Sequence, residues 1–321
     1  MGNLPESRIC PRAPFSDTGV DYAGPFLLKD RKGRGAKTFK AYLCLFICLT
    51  TKAVHLELVT DLSTLSFLEA FQRFISRRGK PSHMYSDNGS NFVGAYNQLK
   101  NLGQFLKSSH KDISDQVENK HSVKWHFIAA YSPHQGGIWE AGVKSCKHHI
   151  KRVLSNALLT YESFYTILTQ IEGILNSRPL TPLSTDPTDL EALTPSHFLI
   201  GRSIQSLPYP DTTTTPSNRL NHFQQLEQLK QHFWVRWSKE YVSQLQIRTK
   251  WKINQDNLSV DSMVLIRDDN LPPYKWRLGR IVALHRGDDG VVRVVSIKTT
   301  SGIIKRAVVK CCPLPIDSKE Q

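Results

Sequence analysis

Residues 18–30 (TGVDYAGPFLLKD), 38–49 (TFKAYLCLFICL) and 51–60 (TKAVHLELVT) decide the fold. Each is rich in β-branched and aromatic residues, and glycine or charged breaks separate them, which predicts three consecutive strands. Beyond them, Asp61 to Thr64 cap a stretch with apolar residues at Leu65, Phe67, Leu68, Phe71, Phe74 and Ile75, closed at Arg78-Gly79-Lys80-Pro81. That spacing and that stop predict a helix. A short strand at 82–86, a helix at 92–106, a strand at 123–129 and helices at 138–156 and 160–177 follow. The order β-β-β-α-β-α-β-α predicts a mixed sheet flanked by helices.

The core domain is expected to span 12–204, after a lead-in at 1–11. Residues 205–218 (QSLPYPDTTTTPSN) hold three prolines and four consecutive threonines, a composition suited to an extended linker. A helical stretch at 219–246 leads to strand-like runs at 263–267, 276–284, 291–299 and 303–309, with turn residues between them. Residues 219–321 are therefore expected to be a helix followed by a small β-barrel.

Across 321 residues, 42 Lys plus Arg face 28 Asp plus Glu, a net charge of +14 spread over both halves of the chain. Such a balance points to a polyanionic partner, nucleic acid first. The longest apolar run, 41–49, is far short of the roughly 20 residues that a membrane helix needs, so no membrane role is expected. The six cysteines form no C-x-x-C pair, which argues against a zinc site or a disulfide framework and for reduced intracellular thiols.

Three carboxylates fall at strand or helix ends: Asp21 in the first strand, Asp87 after the fourth, and Glu140 at the start of the helix following Gly136-Gly137. Asp87 precedes Asn88-Gly89, a turn that leaves its side chain open. Clustered carboxylates repel unless a cation neutralises them, and hard oxygen ligands suit Mg2+ or Mn2+. A two-metal phosphoryl-transfer site is the corresponding chemistry.

Asp21 in VDYAGPF, Asp87 in SDNGSNF and Glu140 in YSPHQGGIWEAGVK resemble the D, D, E motif of retroviral and retrotransposon integrases. The wider stretches LPESRICPRAPFSDTGVDYAGPF, AYLCLFICLTTKAVHLELVTDLST, NSRPLTPLSTDPTDLEALTPSHFLIGR and KWRLGRIVALHRGDDGVVRVVSIKTTSGIIKRAVVKCCPLP look like the integrase region of BEL/Pao long-terminal-repeat retrotransposons. The resemblance covers nearly the whole chain. It implies an RNase H-like core, a five-stranded mixed sheet flanked by helices, with an SH3-like C-terminal barrel. It also implies DNA integration by 3′-end processing and strand transfer, two Mg2+ or Mn2+ ions on Asp21, Asp87 and Glu140, element and target DNA as partners, a homo-oligomer, and release from a polyprotein. Synthesis in the cytoplasm and action in the nucleus go with it. Two departures stand out: the Asp87–Glu140 interval is longer than in retroviral integrases, the excess falling in 108–120, and the His2Cys2 zinc domain expected upstream of residue 12 has no counterpart in Cys10 alone. The rival readings are a retained DNA-binding protein that has lost catalysis and a plain RNase H-type nuclease.

For contact with DNA, the candidates are His134 and Gln135 in the loop before Glu140, and Lys144, Lys147 and Lys151 after it. At about 100° per residue the three lysines fall at roughly 40°, −20° and 20° from Glu140, on one face, beside an apolar stripe of Val143, Cys146, Ile150, Val153 and Leu154. In the barrel the candidates are Arg277, Arg280, Lys305 and Arg306. Asp17 competes with Asp21 but reads as a turn or cap residue. Trp234, Trp237 and Trp251, at near-helical spacing, read as packing residues rather than base-stacking ones.

Overall fold

A computed structural model of the chain describes residues 10–109, 123–127, 137–154, 157–246, 258–268 and 271–315. They fall into two compact units, Met1–Glu172 and Gly173–Gln321.

In the first unit, β1 (Asp17–Lys29), β2 (Thr38–Cys48) and β3 (Val54–Val59) form an antiparallel meander. Strand β4 (His83–Ser86) runs parallel to β1, and β5 (Lys124–Phe127) runs parallel to β4. The resulting order β3-β2-β1-β4-β5 is the RNase H-like arrangement. The run Leu43–Cys48 is buried throughout because β2 lies inside the sheet with both faces covered. Helix α1 (Thr64–Arg78) crosses from β3 to β4. Ser63 caps it by accepting the Ser66 amide, and it stops at Gly79, whose φ of 88° suits a residue without Cβ. Its buried face, Phe67, Ala70, Phe71 and Phe74, meets the sheet, with Phe74 stacked on Phe46 at a centroid separation of 4.2 Å. Helix α2 (Ser90–Ser109) follows β4, and the expected surface insertion at 108–120 falls almost wholly outside the described residues. Helix α3 (Gly137–Leu154) packs on β1, and α4 (Tyr161–Asn176) follows it.

In the second unit, a two-stranded ladder of β6 (Thr181–Pro182) and β7 (Ala192–Leu193) and the short helix α5 (Pro195–Ile200) precede the 24-residue helix α6 (His222–Leu245). Asn221 and Gln224 close a capping box at its start. Strands β8 (Met263–Ile266), β9 (Leu278–Arg286), β10 (Val292–Thr299), β11 (Gly302–Ala307) and β12 (Cys311–Pro313) make an antiparallel sheet in the order β11-β10-β9-β8-β12. A 3-10 turn at Val308–Lys310 returns the chain so that β12 pairs with β8 at the edge of this sheet. One side buries Val264, Ile266, Ile281, Val295 and Ile297; the other packs Met263 and Leu265 with Val242 of α6. Trp234 and Trp237 are buried with Trp276, so packing is their role, while Trp251 lies outside the described residues.

Two details differ from expectation. The units divide at Glu172/Gly173 and not within 205–218, because residues 177–189 are fastened to the C-terminal sheet and helix: Trp276 Nε1 donates to Ser177 Oγ, Tyr241 donates to the Pro179 carbonyl, and Arg280 reaches the carbonyls of Ser184 and Asp189. Nor is 205–218 a free linker. Gln228 donates to the carbonyls of Thr212 and Thr215, while Gln231 accepts from the Thr212 amide and hydroxyl and donates to the Pro210 carbonyl. Two glutamines one turn apart on α6 thus satisfy backbone that proline leaves without a strand partner. Among the described residues, no helix is long and apolar enough to cross a membrane, and all six cysteines are free.

Candidate active site

Strand β1 pairs with β4 in parallel, with Gly19 opposite Tyr85 as the last registered pair. Asp21 and Asp87 each stand two residues further on, so two adjacent parallel strands carry the two carboxylates past the same end of their ladder. Asp21 has its neighbour Tyr22 facing the other side, where that ring stacks on Phe92 of α2. Burial first, and then the neighbouring Cys44 thiol, push the Tyr22 hydroxyl far above its ordinary pKa, so it stays protonated and offers no base beside Asp21. Immediately after Asp21, β1 is irregular: its register with β2 shifts between Ala23 and Phe26. A bulge there re-aims the strand next to the carboxylate. Gly24 sits in it at φ 137°, where an added Cβ would lie 3.0 Å from the Tyr42 ring.

Asp87 is exposed, and its position is held through its backbone. The Ser86 hydroxyl donates to the Asp87 carbonyl and accepts Trp125 Nε1, both at 2.9 Å, tying the turn to β5. The Gly89 amide donates to Asp87 Oδ1 at 3.0 Å, an Asx turn in which Oδ2 takes no hydrogen bond from the described residues. A Cβ on Gly89 would come within 3.1 Å of that carboxylate and 2.8 Å of the Asn91 side chain, so these side chains would have to shift to admit one.

Helix α3 completes the set. Its buried residues Cys146, Ile150 and Leu154 belong to the expected apolar stripe, and they seat it so that Lys147 Nζ forms an ion pair with Asp21 Oδ2. Asp21 Oδ1 accepts the Tyr22 amide at 2.6 Å. Glu140 stands in the first turn of the same helix, two turns before Lys147 and on the same face. The side chains of Glu140 and Lys144, and all of His134 and Gln135, lie outside the described residues. Lys151, one turn beyond Lys147, is exposed. Asp17 is the first residue of β1, buried and paired with Arg12 at 3.1 Å, so it is a sealed structural charge within the strand rather than a turn or cap residue before it. Among the described residues no group of three or more His, Cys, Asp or Glu is placed to hold a metal ion. The two described carboxylates supply oxygen donors of the hard type that Mg2+ or Mn2+ prefers, and the cation now on Asp21 is an ammonium.

The basic candidates of the second unit separate into three kinds. Arg280 is buried and donates to the carbonyls of Ser184, Asp189 and Asp261 at 2.8 to 3.0 Å, which tells against its expected role at DNA: the guanidinium is sealed inside the unit on backbone carbonyls, away from any phosphate. Arg277 is part-buried and paired with Asp268 at 2.7 Å. Lys305 is exposed on β11 and Arg306 beside it is half-buried.

One charged group escaped the sequence reading. His55 and Glu57 of β3, Arg73, Arg77 and Arg78 of α1 and Glu172 of α4 interlock: Glu57 accepts His55 at 3.0 Å, Arg73 at 2.7 Å and Arg77 at 3.0 Å, while Glu172 accepts Arg78 and the Leu56 amide. The available signal was two charged residues alternating inside VHLELV, opposite arginines one turn apart.

Residues 221–314 match a family of unknown function, DUF5641. No curated protein matches the chain. Among solved structures, the chain is similar to the simian T-cell lymphotropic virus intasome in complex with PP2A regulatory subunit B56 gamma, at 11% identity and TM-score 0.38 over 99% of this chain and 85% of that one. It is also similar to the catalytic core domain of BIV integrase, at 14% identity and TM-score 0.37 over 58% and 95%. A third is the HTLV-2 integrase catalytic core domain in complex with magnesium, at 16% identity and TM-score 0.32 over 59% and 98%. The strand order, not these likenesses, carries the fold.

Proposed function

We propose that the chain is a metal-dependent polynucleotidyl transferase, the integrase of a BEL/Pao-type retrotransposon. The observation that carries this reading is the placement of Asp21 and Asp87 each two residues beyond the last registered pair of the parallel strands β1 and β4, with the helix bearing Glu140 seated against Asp21. Asp21, Asp87 and Glu140 would hold two Mg2+ or Mn2+ ions. When bound, such ions activate a water or a 3′-hydroxyl and neutralise charge on the leaving oxygen. Asp87 presents Oδ2 from a turn fixed by Ser86 and Gly89, so the site is preorganised on the protein side. Lys147 and Lys151, with Lys144 on the same helical face, hold a phosphate backbone along α3, and Lys305 and Arg306 extend contact to DNA from the second unit. Element ends and target DNA are the substrates. The protein works as a homo-oligomer in the nucleus after release from a polyprotein made in the cytoplasm.

The test is strand transfer from a pre-trimmed terminal-repeat oligonucleotide with Mg2+. Wild-type chain should join it to target DNA, and Asp87→Asn should abolish joining while DNA affinity stays within about twofold, since one exposed carboxylate is removed and no buried contact. Equal joining by the two proteins would sink the assignment.

A further inference from the structure

We infer that Lys147 is a placeholder for the divalent cation: its ammonium holds Asp21 in the metal-free protein, leaves when the cation binds, and only then becomes available to a DNA phosphate. The inference rests on the metal-site reading of Asp21, and the experiment below separates the two.

The two oxygens of Asp21 are held differently: Oδ1 accepts the Tyr22 amide, and Oδ2 is held by the ammonium of Lys147 instead of by the backbone, so a cation that takes Oδ2 meets Lys147 first. An ammonium and a divalent ion on the same oxygen would repel at a few ångströms, so the two bind in competition. The ion pair is also of the exchangeable kind. Its side chains are 24% and 27% exposed, whereas Glu57 is sealed at 1% beneath two arginines and a histidine. Part-solvated pairs contribute little to stability and give way to a stronger ligand. Exchange asks nothing of the backbone: Cys146 and Ile150 anchor α3 on either side of Lys147, and its four-carbon stem can swing the charge outward while they stay buried. The outward direction is the face shared with Lys151, so the displaced charge joins a basic strip already there. Cation binding and DNA binding at this edge are thereby coupled through a single side chain, each favouring the other.

The full chain should be titrated with Mn2+ by calorimetry, without DNA, as wild type, Lys147→Gln, Lys147→Met and Asp21→Asn, with circular dichroism confirming that each variant is folded. Removing the competing ammonium should tighten Mn2+ binding by roughly three- to tenfold in both Lys147 variants, the modest coupling expected for a part-exposed pair. The same proteins should then be titrated with a short DNA duplex. The affinity lost on Lys147→Gln should be larger with Mn2+ than with a chelator, because only the metal-loaded protein has that ammonium to offer; a merely structural lysine would give the same loss in both. Unchanged or weaker Mn2+ binding in the Lys147 variants, with Asp21→Asn still abolishing it, would overturn the placeholder while leaving the metal site standing. Mn2+ binding that survives Asp21→Asn undiminished would overturn the metal-site reading and this inference with it.

Discussion

The first unit holds two sets of carboxylates, and they live under opposite conditions. Glu57 of β3 and Glu172 of α4 have every oxygen engaged by arginine, histidine or backbone amide. Asp21 and Asp87 lie just beyond the paired stretch of β1 and β4, each with one oxygen taken by a local backbone amide, and Asp21 has its other oxygen paired with Lys147. The first arrangement is saturated from inside the fold; the second is not. Carboxylates saturated in the folded chain have nothing left to bind with, so openness is a better guide to chemistry here than acidity.

That contrast can be broken most severely at Glu57. Glu57→Ala should strip three cationic groups of their shared partner and cost about 3–5 kcal/mol, measured by denaturant unfolding, because a buried pair loses far more when one member is removed than it contributes as a whole. A loss under about 1 kcal/mol would make the cluster no different from a surface network. The same cluster sets a pH window. Burial works against the charged Glu57, but the hydrogen bonds from His55 and Arg73 outweigh it and hold its pKa below the ordinary 4.5. Its contribution is therefore complete above that value and lost as pH falls through the depressed one. For His55, burial is likewise outweighed, here by Glu172 and Glu57, and its pKa lies above the ordinary 6.5. That contribution is complete below 6.5 and lost as pH rises through the raised value. Stability of the first unit should thus peak between about 4.5 and 6.5 and decline on both sides, and Glu57→Gln should flatten the profile.

The second unit repeats the contrast in basic residues. Arg280→Ala should destabilise it by about 3 kcal/mol, since three carbonyls lose a charged donor, with unfolding of the chain as the measure. Lys305→Ala should leave stability within about 0.5 kcal/mol and lower the salt slope of DNA binding by about one. If Arg280→Ala lowered the salt slope without loss of stability, the assignment of the two residues would have to be exchanged. Smallest of all, Asp87→Asn should move the unfolding midpoint hardly at all, within about 0.5 kcal/mol, in contrast to Glu57→Ala.

Much of this was legible along the chain. The β2 run AYLCLFIC reads as a strand, the caps within Asp61–Thr64 and the stop at Arg78–Pro81 bracket α1, and the helical arithmetic places Lys147 on the face of Glu140 with Cys146, Ile150 and Leu154 beside it. Strand β12 was not legible, because three residues at Cys311–Pro313 carry no periodicity and become a strand only by pairing with β8. Nor was the fastening of 205–218, whose Pro and Thr content describes an extended chain but says nothing of Gln228 and Gln231 waiting on α6.

The sequence by itself determined the longer strands and helices, where α1 starts and stops, and which residues share a helix face, since these follow from side-chain periodicity and backbone preferences acting over a few residues. Only the tertiary structure decided which charges are sealed and which stay open. Glu172 meets the Leu56 amide across 116 positions, Lys147 meets Asp21 across 126, and Arg280 meets Asp189 across 91. A charge carries no mark of its partner in its neighbours; burial and Coulomb attraction act through space, and their outcome at each carboxylate and arginine is settled when the strands and helices pack.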